Sequence, residues 1–445
     1  MKKIFVAMIA GACMILVGCA GGAEGPFVLP EPEHLQIAPL AAADIEPAPL
    51  ITTSFAQRED NSIAVAHGAN DFAFALSATL LEDVGTDNFV VSPYSVWLPL
   101  AALINATRED YRPTLIEVLA QEGIDVAYVN RAASRMLFDL TNERNRRGSM
   151  DEVWQRNPLQ IANAIFVDDS HTLKSDFAQT FADYFRGTTM GINFNAPNAA
   201  DAINQWASDN TNGRITHVID NDDIDPDTAA AIVNAIYFSD QWAYQFRPED
   251  THRDIFHAPT GDVCTYFMRR EWHSIMYFED AQMQSLTLPF ITGGGMTILL
   301  PHDGDAVSLL ANMNNEKFAA IQTNSVLAEG SLLLPRFSVE NTLDLNSPLS
   351  AMGLDALFSE AIAPITNLVP RRCFISGAIQ VAMIEVDEEG ATAAAVTVMT
   401  MSPESLPIIQ TTFEMICNRP FAFILHRSTI DGGNQILFMG VVNQP

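Results

Sequence analysis

Apolar and polar positions alternate and cluster in ways that mark several elements. Ile379 to Val386 is apolar and rich in branched residues, which predicts a strand. Leu159 to Val167 and Thr228 to Phe238 read the same way, as do Leu332 to Phe337 and Ile436 to Pro445. Phe89 to Val91 is a short apolar strand, and Pro93 can open a helix, because its missing N–H would be unpaired there anyway. Leu173 to Phe185 carries a helical period. Ile203 and Trp206 fall at helical spacing, and Thr211-Asn212-Gly213 supplies the stop. Gly293-Gly294-Gly295 before Met296 to Leu300 predicts a hairpin turn.

One stretch stands out. After the strand to Val386 come acidic residues and Gly390, then Ala391 to Val398, small and uncharged with no glycine or proline until Pro403. A solvated loop should carry charge and turn residues. Extended, the run shows Ala391, Ala393, Ala395 and Thr397 on one face and Thr392, Ala394, Val396 and Val398 on the other. Both faces are apolar enough for a sheet. The same composition also suits an ordinary helix, since alanine is the best helix former and acidic residues favour a helix start.

The ends of the chain differ in character. Lys2 and Lys3 precede an apolar run from Ile4 to Val17, too short to span a bilayer comfortably, and Leu16-Val17-Gly18-Cys19 follows. This ending resembles a bacterial lipobox. The resemblance implies that residues 1–19 form a lipoprotein signal, with Cys19 lipidated and Cys13 lost with the leader. Ala20 after the cysteine implies sorting outward, to the outer membrane or surface of a bacterial cell. Residues 20–60 carry Pro26, Pro30, Pro32, Pro39, Pro47 and Pro49 among Gly, Ala and Glu, an extended tether. Residues 61–445 contain no second such linker and are expected to form one domain.

Of the 445 residues, 48% are hydrophobic, and the formal net charge is −30, which argues against nucleic acid or a heparin-like polyanion as partner. Cys264, Cys373 and Cys417 remain beyond the leader, an odd number without zinc spacing, and are expected to be buried small hydrophobes. No H-E-x-x-H, G-x-S-x-G or G-x-x-x-x-G-K-[ST] occurs, so neither catalysis nor a cofactor or metal is expected. The acidic run Asp220 to Asp225 fails as a calcium loop, because Ile224 and Asp225 stand where a ligand and a glycine are needed.

The phrase VDEEGATAAAVT resembles the reactive-loop hinge of the serpins. NFVVSPYSVW, the Asn-x-Trp and Thr-x-Gly-x-Ile wording at 204–215, VNAIYF with Trp242 beyond it, LLLPRF, Asn418-Arg419-Pro420-Phe421 and ILFMGVVNQP are similar to further serpin phrases, in the same order. The resemblance implies an α+β serpin fold: a large mixed five-stranded central sheet, two further sheets, eight to nine helices and an exposed reactive loop. It implies a hinge at Glu388, Glu389, Gly390, Ala391, Thr392, Ala393, Ala394 and Ala395, and a sheet-opening cluster of Ser92, Ser95, Asn234, Gln380 and Trp242. Gln380 stands where most serpins carry histidine; its amide can donate and accept but cannot titrate. Ala391 replaces a common threonine and is still small. Family spacing places the reactive bond at Glu404-Ser405, with Met401 and Leu406 as alternatives. The function implied is irreversible suicide-substrate inhibition of serine or cysteine proteases by a monomer, through a covalent acyl complex. A non-inhibitory carrier, chaperone or adhesin is the alternative.

Overall fold

A strand buried on both faces needs apolar residues at every position, and the chain supplies several such runs. In the computed structural model they assemble two sheets. The described residues are 9–19, 60–120, 123–141, 159–225, 227–390, 411–429 and 433–445. The tether up to residue 59 and the loop from Ala391 through Met401, Glu404, Ser405 and Leu406 to Gln410 lie outside them.

With elements labelled in chain order, the first sheet runs β11 (Phe337–Asp344), β13 (Arg371–Val386), β1 (Ile9–Cys19), β5 (Thr228–Phe238), β3 (Leu159–Asp168) and β4 (Gly187–Ile192). The short β12 (Ile365–Val369) also pairs with β13. The β3–β4 pair is parallel and its other pairs are antiparallel, so the sheet is mixed. β11, β13, β5, β3 and β4 are the five strands expected of the central sheet.

The second sheet runs β14 (Thr411–Ile416), β10 (Val326–Pro335), β7 (Gly261–Glu279), β8 (Met283–Pro289), β9 (Gly295–Pro301), β15 (Phe421–Ser428), β16 (Asn434–Val442) and β2 (Phe89–Val91), with β6 (His252–Ala258) beside β7. The two further sheets expected from the sequence are joined here, because β7 is 19 residues long and bridges them. It pairs with β6 and β10 and, at its far end, with β8. Gly293 and Gly294 make the expected β8–β9 turn at φ 101° and 79°.

Nine α-helices occur among the described residues. These are α1 (Asp60–Leu81), α2 (Pro93–Leu103), α3 (Arg112–Leu119), α4 (Val126–Thr141), α5 (Ser175–Phe185), α6 (Ala199–Asn210), α7 (Ala306–Ala311), α8 (Asn315–Asn324) and α9 (Asn346–Leu349). α2 begins at Pro93 as expected and is buried along its whole length, behind the central sheet. α6 covers the opposite face and stops at Asn210, just before Asn212 and Gly213, both with positive φ.

Two placements differ from expectation. Cys373 and Cys417 are buried, but Cys264 is exposed. It lies where β7 pairs only with β6, a hairpin that reaches beyond the core and buries little except Phe256. The second concerns the amino-terminal apolar run, which is a strand here, hydrogen-bonded between β13 and β5. Ala10, Ala12, Met14 and Leu16 pack into the layer under α6, whereas Cys13, Ile15 and Val17 face the helical core around α2. A leader and a central strand ask for the same composition, uncharged and apolar on both faces, so periodicity alone does not separate them.

Candidate functional site

The site is a strand-wide slot between β13 and β5, with a polar cluster halfway along it and a docked turn at its mouth. At the middle, α2 brings Ser92 and Ser95 against the sheet. Ser92 Oγ lies 2.9 Å from Ser95 Oγ and donates to the Leu437 carbonyl at 2.9 Å. Gln380 on β13 clasps the Ser92 backbone: its Oε1 accepts from Ser92 N at 3.0 Å and its Nε2 donates to Ser92 O at 2.8 Å. All three side chains are fully buried. The amide thus satisfies a donor and an acceptor together, as its chemistry allows.

Asn234 and Trp242 sit apart from this trio. Asn234, on β5, is separated from Gln380 by β1, whose Cys13 pairs with Gln380 on one side and Asn234 on the other. Its Nδ2 donates to Asn163 Oδ1 on β3 at 2.8 Å, and its Oδ1 has no protein partner. Asn163 was not singled out from the sequence, although it lies in the LQIANAIFV strand; an asparagine inside an apolar run is the signal that could have found it.

Trp242 belongs to the mouth of the slot. It is 1% exposed, stacks on Phe290 with ring centroids 4.9 Å apart, and donates Nε1–H to the Asp387 carbonyl at 3.0 Å. Residues 387–390 are pinned there from several sides. Phe246 N donates to the Glu388 carbonyl at 3.0 Å, and Gln245 Nε2 to that of Glu389 at 3.2 Å. The Glu388 carboxylate receives Arg336 Nε at 2.9 Å and Nη2 at 2.5 Å, and Thr251 Oγ1 at 2.5 Å. Arg336 lies in the LLLPRF phrase, but its pairing with Glu388 joins positions 52 apart and has no local signature. Gly390 has φ +74°, and a Cβ there would fall 2.3 Å from Trp242 N, so no side chain fits. Ala391 to Ala395 lie outside the described residues.

Burial pushes the Asp387 carboxyl up to about 6, opposed by the Glu389 N–H that it accepts and reinforced by the carboxylates of Glu388, Glu389 and Glu385. The folded protein therefore holds this proton where the unfolded chain, near pKa ~3.9, has released it. The stability from that proton is present below about pH 4 and is lost as pH rises to about 6. Asp387→Asn keeps the acceptor oxygen and removes the titration. Its urea midpoint relative to the parent should rise between about pH 4 and about pH 7, and a constant difference across that range would refute the assignment.

The comparisons with known proteins agree with this geometry. Residues 67–445 match the family model "Serpin (serine protease inhibitor)". The chain is 28% identical over 390 residues to plasminogen activator inhibitor 1 of Mus musculus, covering 85% of this chain and 92% of that one. It is 31% identical over 369 residues to alaserpin of Manduca sexta, covering 80% and 88%. In fold it is similar to the native state of the thermophilic serpin tengpin, with TM-score 0.72 at 22% identity over 92% of this chain and 100% of that one. A family match over most of the chain, on a fold whose central sheet carries the expected hinge glycine at its mouth, establishes that this chain belongs to the serpin family.

Proposed function

We propose that the protein is a suicide-substrate inhibitor of serine or cysteine proteases, acting through the loop that follows Gly390. The observation that carries this reading is the slot between β13 and β5, which accepts a non-contiguous antiparallel strand of small and apolar residues right beside the docked 387–390 turn. A protease attacks the loop and its nucleophile forms an acyl bond to the residue before the scissile bond. The arm from Gly390 then enters the sheet. Because 387–390 stays pinned by Trp242 and Arg336, it acts as a fixed pivot.

With those four residues as the connection, Ala391 comes opposite Val386, and stepping back along β13 brings Thr397 opposite Gln380. Thr397 then occupies the place held by Cys13, where its hydroxyl can donate to the unpartnered Oδ1 of Asn234. About 14 residues at ~3.3 Å each carry the acyl-linked protease roughly 45 Å and distort its active site before water can release it. The driving force is ladder hydrogen bonding and burial of Ala, Val and Thr surface.

The reactive bond follows from the same count, at Glu404-Ser405. A protease of glutamate specificity and a subtilisin-like one are each incubated with the leader-free protein. A detergent-stable complex should form, and sequencing of the released carboxy-terminal fragment should begin at Ser405. A first residue of Ser402 or Pro407 assigns the bond to Met401 or Leu406 instead, and cleavage with no stable complex overturns the inhibitory reading.

The processing of the amino terminus completes the picture. Cleavage before Cys19, lipidation of its thiol and the proline-rich tether would hold the domain on the envelope of a bacterial cell. Cys19→Ser should move the protein from the membrane fraction to the soluble one. A variant that still sediments with membranes removes the anchor.

A further inference from the structure

β1 uses the backbone that the reactive loop needs. It pairs with β13 from Ile9↔Ile384 to Cys19↔Cys373 and with β5 from Ile9↔Phe238 to Gly18↔Thr228. Ala10 to Val17 are buried, none of the apolar side chains among them more than 2% exposed. The fit is specific in shape as well as polarity. Gly11 passes the start of α2, where an added Cβ would lie 3.1 Å from Ser92 Cβ and 3.3 Å from the Phe438 ring. A glycine thus stands where an added side chain would crowd Ser92. The N–H and C=O groups of β13 and β5 that face the slot cannot serve two strands at once.

We propose that Ile9–Cys19 is an intramolecular stopper: while the leader remains on a folded chain it fills the slot, and the loop cannot insert. This deepens the inhibitory reading by naming its regulation and rests on that reading for the trapping step, though the occupancy of the slot stands without it. A chain that folds before export is inert towards proteases of its own compartment. It also hides its leader, since the apolar run that a processing enzyme would recognise is buried in the sheet. A chain exported before it folds loses Ile9 to Gly18 by cleavage before Cys19, so both ladders stay vacant when its sheet forms and the sheet is armed. Export and arming are therefore one event. The design needs no separate cofactor, because the segment that directs the chain out is the segment that keeps it closed.

The test uses the full chain and its Ala12→Asp variant. Ala12 is fully buried in the layer under α6, so a carboxylate there cannot stay in the slot unpaired. In the unsubstituted full chain, the amides of Ile9 to Gly18 should exchange with solvent as slowly as those of β5 and β13. In Ala12→Asp they should exchange freely. The variant should also take up a synthetic peptide of sequence IAGACMILVGC, detected by native mass spectrometry, while the unsubstituted chain does not. The yield of detergent-stable protease complex should rise from near zero in the full chain to that of the leader-free protein in the variant. Fast exchange of β1 in the unsubstituted chain, or equal peptide uptake by both, overturns the stopper. Released β1 and peptide uptake without trapping leave the stopper standing and overturn the inhibitory reading instead. Should Ala12→Asp fail to fold, exchange in the unsubstituted chain decides the matter alone.

Discussion

Under the proposed insertion mechanism, Ala393→Arg or Ala395→Glu in the leader-free protein is expected to be cleaved without trapping the protease, while the unreacted fold stays as it was. The reason lies in where these residues land. In the inserted arm Ala393 takes the position of Ile9, opposite Ile384, and Ala395 takes that of Gly11. At the latter even a Cβ comes 3.1 Å from Ser92, so alanine fits only with a small shift of α2 and glutamate does not fit. A charge that is solvated on the loop has to be buried without a partner on insertion, which costs several kcal/mol. A barrier raised by ~3 kcal/mol slows insertion about 160-fold, whereas hydrolysis of the acyl bond is unaffected. The measurement is the fraction of protease held in detergent-stable complex, beside the melting midpoint of the unreacted protein. Complex formation at the parent level by either variant would remove loop insertion from consideration.

Trp242→Ala is expected to show the largest loss of stability among single substitutions at the mouth of the slot. The indole is almost wholly buried, is stacked on Phe290 and bonded to the Asp387 carbonyl. Truncation of such a side chain costs about 3–5 kcal/mol. The accompanying loss of the Asp387 bond frees one end of the 387–390 turn, so cleavage near Gly390 by low concentrations of a non-target protease should become faster. Trp242→Phe separates the two contributions. It preserves an aromatic ring against Phe290, forfeits the hydrogen bond and should cost only about 1 kcal/mol for that bond plus a small packing loss. Equal urea midpoints for the two variants would mean that stacking contributes little and that the hydrogen bond dominates.

Much of the fold was legible along the chain because its signals are local. The strands at 159–168, 228–238 and the second half of 371–386 announce themselves by largely apolar composition, and α2 by a proline where a helix can start. The hinge at Glu388, Glu389 and Gly390 was implied by resemblance to the serpin phrase and not by residue types alone, and the positive φ of Gly390 shows why that position takes glycine. The serine–glutamine contact was expected from family resemblance, and the structure supplies its geometry in two hydrogen bonds to the backbone of Ser92.

Other features depend on residues far apart in the chain. Arg336 and Glu388 meet because β11 follows β10 past the end of β13, a matter of sheet order. Asn163 meets Asn234 across β3 and β5. Cys264 is exposed because its hairpin runs out beyond the layers, which a count of cysteines does not reveal. By itself, then, the sequence determined the apolar strands around 159–167, 228–238 and 379–386, the start of α2 at Pro93 and that the run before Cys19 is apolar on every side. Only the tertiary structure decided what that run does in the folded chain. An apolar segment of this length has no preferred partner of its own, and β13 and β5 together present two open ladders between apolar faces, which satisfies its backbone as well as its side chains.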